Sequence, residues 1–270
     1  MIRARKIDQV FVALPWTDDE RIRDIALSLS DLPVHVCLAP DMVAYQFTGS
    51  PAVTLSGLPM VRLFDRPLSD GDYIAKRLED IGVSLFALAV TSPLMLIIAL
   101  AIRLESRGPL FFRQMRQGFN NEPIEVWKFR SMYLEASDAA GAQQATTADA
   151  RVTRVGRFLR RTSLDELPQF FNVLRGEMSV VGPRPHALGT KAEGALFVEV
   201  VQRYAARHRV KPGITGWAQV CGWRGETDTA EKIRKRVECD LAYIENWSLW
   251  FDFWIMIRTV PLMIWDRRAY

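Results

Sequence analysis

Residues 81–102 read I-G-V-S-L-F-A-L-A-V-T-S-P-L-M-L-I-I-A-L-A-I, apolar throughout except for Ser84, Thr91 and Ser92. As a helix this stretch spans about 33 Å, enough for a bilayer core of about 30 Å. Lys76 and Arg77 flank it on one side and Arg103 and Arg107 on the other, so the basic residues give no positive-inside asymmetry. Ser92-Pro93 lies at its centre. Proline removes one helix hydrogen bond and clashes with the preceding turn, which predicts a kink or a break there. A broken helix that enters the membrane and returns on the same face fits both facts; a kinked span remains open.

Downstream, residues 162–170 read T-S-L-D-E-L-P-Q-F, and the helix-like stretch before them, Arg151 to Arg161, carries five arginines. Adjacent carboxylates beside arginines suit chemistry on a phosphate: the cations hold the anion while a carboxylate attacks it or positions a metal. On a helical wheel Val152, Val155, Phe158 and Leu159 fall on one side and Arg154, Arg157, Arg160 and Arg161 on the other. That face is either a solvated basic surface or, beside an apolar anchor, one that meets lipid phosphates. Ser163-x-x-Glu166 also reads as a plain capping box. The helix beyond it has an apolar stripe of Leu164, Leu167, Phe170, Phe171 and Leu174, with Asp165, Gln169 and Asn172 on the other face.

Further along, Val181-Gly-Pro-Arg-Pro-His186 fixes Arg184 between two prolines, as suits an arginine that must not move. The loops 211–219 and 222–228 are broken by glycines and rich in donors, with Trp217 or Trp223 available to stack on a base. His35, His186 and His208 share no ligand spacing, so they read as surface or packing residues. Cys37, Cys221 and Cys239 have no C-x-x-C spacing, which predicts a reducing compartment and no zinc site. The 270 residues carry a net charge of +4 and eight tryptophans. A basic balance fits anionic lipid, nucleotide or nucleic acid without choosing, and indole favours a membrane interface. A nucleic-acid-binding reading leaves the apolar run unexplained.

Residues 8–70 predict an incomplete α/β unit, with strands at Val10–Leu14 and Val34–Leu38 and a helix from about Thr17 to Leu29. There is no glycine-rich phosphate loop. Residues 1–9 lack the apolar stretch of a signal peptide. Residues 103–135 predict strands at Phe111–Arg116 and Glu125–Met132, residues 136–150 a loop, and Asn246–Trp265 an interfacial helix in which aromatics mix with Asp252 and Arg258.

Together these segments resemble the bacterial sugar transferases, the monotopic phosphoglycosyl transferases. The matching strings are S-P at 92–93, K-F-R-S-M at 128–132, S-L-D-E-L-P-Q at 163–169, V-G-P-R-P at 181–185 and K-P-G-I-T-G-W-A-Q at 211–219. W-R-G-E-T-D-T at 223–229 and N-W-S-L at 246–249 resemble the undecaprenyl-phosphate glucose phosphotransferase subgroup. The resemblance implies a helix-rich α/β fold: a membrane-anchored catalytic domain over 71–270 with a re-entrant helix, after a partial Rossmann-like segment over 1–70. That segment is expected to be the end of a longer domain, left by a truncated gene product or a fragment.

The implied reaction moves a sugar 1-phosphate from a UDP-sugar to polyprenyl phosphate, releasing UMP, on the cytoplasmic face of the bacterial inner membrane. By this resemblance Asp165 is the nucleophile, and Glu166 assists the lipid phosphate or a Mg²⁺ ion held by Asp165 and Glu166. Arg184 and Arg224 clamp the diphosphate, Lys128 and Arg130 belong to a phosphate-side motif, and Arg160 sits at the membrane-facing phosphate. Ser92 and Pro93 make the re-entrant break. Inner-membrane lipid and a homo-oligomer are the further partners, and nucleic acid is not one. Position 221 is Cys where the family usually has Asn. The alternative from a different class is a catalytically silent membrane scaffold of polysaccharide assembly.

Overall fold

The structure, a computed structural model, describes residues 7–15, 17–39, 53–55, 58–64, 66–133, 149–186, 191–192, 195–196, 204–223, 225 and 229–265. It divides into two units, Met1–Ser69 and Asp70–Tyr270. In the first, β1 (Gln9–Val12), α1 (Asp19–Ser30) and β2 (His35–Leu38) form a parallel strand pair joined through a helix. The strands β3 (Val53–Leu55) and β4 (Leu58–Phe64) pair antiparallel with each other, and β4 pairs antiparallel with β2. The sheet order is β1-β2-β4-β3. Val12, Leu29, Leu32, Val34, Val36 and Leu38 close its core. The sequence reading anticipated only the first two strands. Two apolar runs separated by Ser56-Gly57 carried the missed signal of a hairpin.

The second unit opens with α2 (Asp70–Glu105), 36 residues and about 54 Å of helix. It is longer at both ends than the predicted 81–102, and Pro93 lies inside it. The hydroxyls before the proline supply local satisfaction. Ser92 Oγ donates to the Ala89 carbonyl, which Pro93 cannot serve, and Thr91 Oγ1 donates to the Ala87 carbonyl. Only 11% of the most apolar 18-residue window is buried, the reverse of a soluble core helix. Leu85, Phe86, Val90, Leu96, Ile97 and Leu100 are exposed.

The polar flanks of the apolar run are structural. Lys76 Nζ lies 2.7 Å from Asp252 Oδ2 on α7 (Leu249–Trp265), and Asp252 also accepts from the Tyr243 hydroxyl at 2.7 Å and Trp247 Nε1 at 2.8 Å. Asp80 Oδ1 accepts from Ser179 Oγ and Val180 N of β7 (Ser179–Val181), each at 2.8 Å. At the far end, Glu105 accepts from Arg154 N at 2.7 Å and Val155 N at 3.0 Å. It thereby caps a helix it does not belong to. Asp252 is fully buried, so α7 is pinned by its acid and not merely laid on an interface.

Between these elements lie the antiparallel hairpin of β5 (Phe111–Gln117) and β6 (Pro123–Phe129), then α3 (Arg154–Thr162) and α4 (Gln169–Arg175). The short hairpin of β8 (Lys191–Ala192) and β9 (Ala195–Leu196) follows. β10 (Gly213–Thr215) pairs parallel with β7, and α5 (Trp217–Val220) and α6 (Ala230–Glu245) precede α7. One core cluster joins Val126, Val173, Met178, Val180, Val181, Tyr243, Ile244 and Ile255. A second joins Ile98 and Ile102 of α2 to Phe129, Leu159 and Leu167. The loop expected over 136–150 lies, apart from 149–150, outside the described residues.

Candidate active site

The site is a change of direction between two helices. Thr153 caps α3, its hydroxyl accepting from Gly156 N at 2.9 Å. Gly156 is required there: a Cβ would stand 2.0 Å from the Ser131 carbonyl oxygen. That contact seats α3 directly on the end of the K-F-R-S-M segment. α3 ends at Ser163, which is left-handed at φ 56° and donates its N–H back to Arg160. A 3₁₀ turn over Leu164–Glu166 follows, then α4.

The capping-box reading is therefore corrected. Ser163 ends one helix and makes no side-chain cap on the next. The helix also begins later, at Gln169, and Phe158, on the apolar side of the wheel, is exposed. Asn172 is no site residue either. Its Oδ1 accepts from Trp127 N at 3.0 Å and its Nδ2 donates to the Glu125 carbonyl at 2.6 Å, which stitches α4 to β6. The α4 C-terminus is closed by Arg77, which donates to the Val173 and Leu174 carbonyls at 2.5 and 2.6 Å.

This frame brings Asp165, Glu166, Lys128 and Arg184 together. Lys128 Nζ, from β6, lies 2.7 Å from Glu166 Oε1. Arg184 Nη1 donates to Glu166 Oε2 at 3.0 Å, and Nη2 donates to Oε1, a two-pronged pairing. These two cations hold the Glu166 carboxyl well below the usual carboxylate range against its burial. Burial pushes Asp165 the other way, up to about 6, with Lys128, Arg160 and Arg184 opposing and Glu166 reinforcing. Two neighbouring carboxyls with separated titrations have divided roles. Glu166 is a permanent anion locked to cations, and Asp165 gains or loses its proton near neutrality.

Arg184 is placed by backbone pairing. Gly182 N donates to the Thr215 carbonyl at 2.9 Å and Gly213 N to the Pro183 carbonyl at 3.0 Å, so the V-G-P-R-P and K-P-G-I-T-G strings are adjacent strand ends. Arg116 Nη1 donates to the Pro185 carbonyl at 2.6 Å.

The remaining candidates separate. Arg160, in the last turn of α3, contributes charge to Asp165. Arg130 is buried and donates to the carbonyls of Ser106 and Arg107, at 2.7 and 2.8 Å, tying β6 to the chain after α2. Arg224 lies outside the described residues. Cys221 and Cys239 meet in the fold, and burial raises both thiols, Cys239 to about 12. That is the reverse of an activated nucleophile. Among the described residues no group of three or more His, Cys, Asp or Glu is placed to hold a metal.

Residues 71–266 match the profile of the family described as bacterial sugar transferase. The chain belongs to that family. The bacterial sugar transferase match covers all of α2 beyond its first residue, together with the Asp165–Glu166 turn and Arg184, while residues 1–40 match a profile described as a CoA-binding domain. The chain is 48% identical over 268 residues to the UDP-glucose:undecaprenyl-phosphate glucose-1-phosphate transferase of Escherichia coli (strain K12), covering 99% of this chain and 57% of that protein. It is 49% identical over 189 residues to the exopolysaccharide production protein PSS of Rhizobium leguminosarum bv. phaseoli, covering 70% of this chain and 94% of that one. It is 46% identical over 193 residues to a UDP-N-acetylgalactosamine-undecaprenyl-phosphate N-acetylgalactosaminephosphotransferase of Aeromonas hydrophila, 70% of this chain and 43% of that one. The chain thus spans little more than half of the E. coli relative.

Proposed function

We propose that this chain transfers a sugar 1-phosphate from a UDP-sugar to undecaprenyl phosphate at the cytoplasmic face of the bacterial inner membrane, releasing UMP and beginning exopolysaccharide assembly. The observation that carries this is the carboxyl pair itself. Asp165 is buried and poised near neutrality beside Glu166, which Lys128 and Arg184 hold ionised. Glucose is the preferred sugar, because relatives named for it match nearly the whole chain, whereas the N-acetylgalactosamine relative matches 70% of it.

In this reading an Asp165 carboxylate oxygen attacks the phosphorus that bears the sugar. The bond from that phosphorus to the oxygen bridging the two phosphates breaks, and UMP leaves with the bridging oxygen. The sugar phosphate stays on Asp165 as an acyl phosphodiester. An oxygen of the lipid phosphate then attacks the same phosphorus, the bond to Asp165 breaks, and the carboxylate is restored. Lys128 and Arg184 are the cations nearest the carboxyls and meet the charge of the incoming phosphates. Glu166 keeps both in place between turnovers.

Magnesium fits the donor set in kind, because it takes one or two carboxylates and completes its shell with substrate phosphates and water. Asp165 and Glu166 would hold it, and bound there it would neutralise charge on the diphosphate. With no third His, Cys, Asp or Glu grouped with them among the described residues, such a site would be completed by substrate and water.

The exposed apolar residues of α2 and the base and tip contacts support a re-entrant, monotopic anchor. Val83 packs on the core around Val126 and Val173, and Met95, Ile98 and Ile102 pack with Phe129 and Leu159. Both halves of the helix thus return to one domain, with exposed Leu85, Phe86, Val90 and Leu94 between them. Phe158, Trp250 and Phe253 add exposed apolar area suited to an interface.

The deciding experiment measures UMP release from UDP-glucose by detergent-solubilised protein with Mg²⁺ and undecaprenyl phosphate. Wild type is expected to release UMP and Asp165→Asn to release none while melting no lower. Equal release by the variant would remove Asp165 as nucleophile, and no release from any UDP-sugar by folded wild type would remove the reaction class.

A further inference from the structure

One face of α3 carries charge that the protein does not answer. Val155 and Leu159 pack with Met95, Ile98 and Ile102 of α2, and Gly156 lies against Ser131. Away from that contact Arg154, Arg157 and Arg161, spaced three and four residues apart, share a face, and Phe158 borders it. All four side chains are exposed, Phe158 by 52%. Among the described residues the three guanidinium groups enter no hydrogen bond, ion pair or ring contact. The acids that flank the start of α3 are engaged elsewhere. Glu105 accepts from the backbone N–H groups of Arg154 and Val155, at 2.7 and 3.0 Å, and Asp149 Oδ2 accepts from Arg151 Nη2 at 2.6 Å.

The end of α2 that holds α3 continues this surface. Leu100 and Leu104 are 61% and 78% exposed there, and Arg103 and Arg107 are exposed beside them. A basic face alone means only that water covers it. This one adjoins large apolar side chains on a helix whose apolar run is itself uncovered, and such a surface is costly to leave in water. Aliphatic and aromatic groups next to guanidinium groups match the headgroup layer of a bilayer, where acyl chains give way to phosphates. A zwitterionic headgroup brings its own cation with its phosphate and leaves three arginines uncompensated. An anionic headgroup neutralises them.

We propose that Arg154, Arg157 and Arg161, with Phe158, form a docking surface for anionic phospholipid, which they select over zwitterionic lipid around the C-terminal end of α2. The proposal rests on the reading that α2 enters a membrane, and it names the class of lipid that this end meets. The surface is separate from the carboxyl pair: Arg160, whose charge reaches Asp165, is not part of it.

The test equilibrates the detergent-solubilised full chain with equal amounts of phosphatidylglycerol and phosphatidylcholine, recovers the protein by an affinity tag, and measures how much of each lipid it retains. Wild type at low salt is expected to retain phosphatidylglycerol over phosphatidylcholine by about fivefold. In Arg154→Gln/Arg157→Gln/Arg161→Gln the preference is expected to fall to within about twofold of parity, with the melting temperature unchanged because the arginines removed are exposed and unpaired. Lysine at the same three positions keeps the charge and is expected to keep at least about half of the preference. Wild type at about 1 M salt, where charges are screened beyond about 3 Å, is expected to lose it. A wild type without preference, a preference that survives glutamine or high salt, or a lysine variant as poor as the glutamine one would each overturn the anionic-lipid surface and leave the membrane reading intact. A full chain that stays in solution without detergent and retains neither lipid would overturn both.

Discussion

On the proposed mechanism, acidification should switch off the first half-reaction through Asp165. In that mechanism the carboxyl must be ionised to attack phosphorus, and burial pushes its pKa from 3.8 up to about 6. A group titrating there is about 90% ionised at pH 7 and about 10% at pH 5, so the rate of UMP release in a single turnover should fall nearly tenfold over that range. An ordinary aspartate would lose almost nothing. The stability effect runs the other way. A raised folded pKa means that the native state binds the proton more tightly, so this group's contribution grows as pH falls from 6 toward 3.8. Glu166, lowered in the fold, contributes stability that is lost only as pH drops below its ordinary 4.5. Between pH 7 and 5 the rate should therefore fall with no loss of stability from these two carboxyls, whereas buried His186, held well below its ordinary 6.5, makes the fold weaker as pH falls through that range. Lys128 is the largest charge holding the Asp165 value down, so Lys128→Met should move the midpoint of the normalised profile to higher pH. A flat rate from pH 7 to 5, or a midpoint indifferent to Lys128, would refute the reasoning.

Other consequences are structural. Gly156→Ala puts a methyl 2.0 Å from the Ser131 carbonyl and should destabilise by about 1–3 kcal/mol or more, read as a lower melting temperature with a parallel loss of active protein. Asn172→Ala leaves the Trp127 N–H and Glu125 carbonyl without their amide partner and should cost about 1–3 kcal/mol in denaturant unfolding. Lys76→Met strands the buried Asp252 carboxylate and should cost about 3–5 kcal/mol, much of it recovered in Lys76→Met/Asp252→Leu, because removing both charges removes the unpaired one. A double variant as unstable as the single would argue that the ion pair matters for geometry and not for charge balance.

The Asp165–Glu166 turn was legible because two adjacent acids beside arginines are an unusual juxtaposition. Its local shape was not legible. Ser-x-x-Glu writes a capping box and a helix-terminating left-handed serine with the same letters, and the choice depends on what α3 packs against. Gly156 settles that by close approach to Ser131, a contact 25 residues away in the chain and invisible to periodicity. Asn172 shared a helical face with Asp165 on paper. Its amide is instead consumed by the backbone of β6.

The charges beside the apolar run carry the last lesson. Lys76 and Arg77 look like the basic flank by which membrane topology is read, and counting them against Arg103 and Arg107 gave no orientation. In the fold neither is available for that role. Lys76 is neutralised by Asp252 inside the protein, and Arg77 closes the C-terminus of α4. Glu105, at the other end of α2, caps the N-terminus of α3. The helices α3 and α4 are the two that meet at the Asp165–Glu166 turn. The apolar helix therefore holds the outer ends of the two helices whose inner ends meet at the Asp165–Glu166 turn, one contact near each of its own ends. In the proposed function, an anchor built this way would do more than hold an enzyme near its lipid substrate. A shift of α2 would act on the outer ends of α3 and α4, whose inner ends carry Asp165.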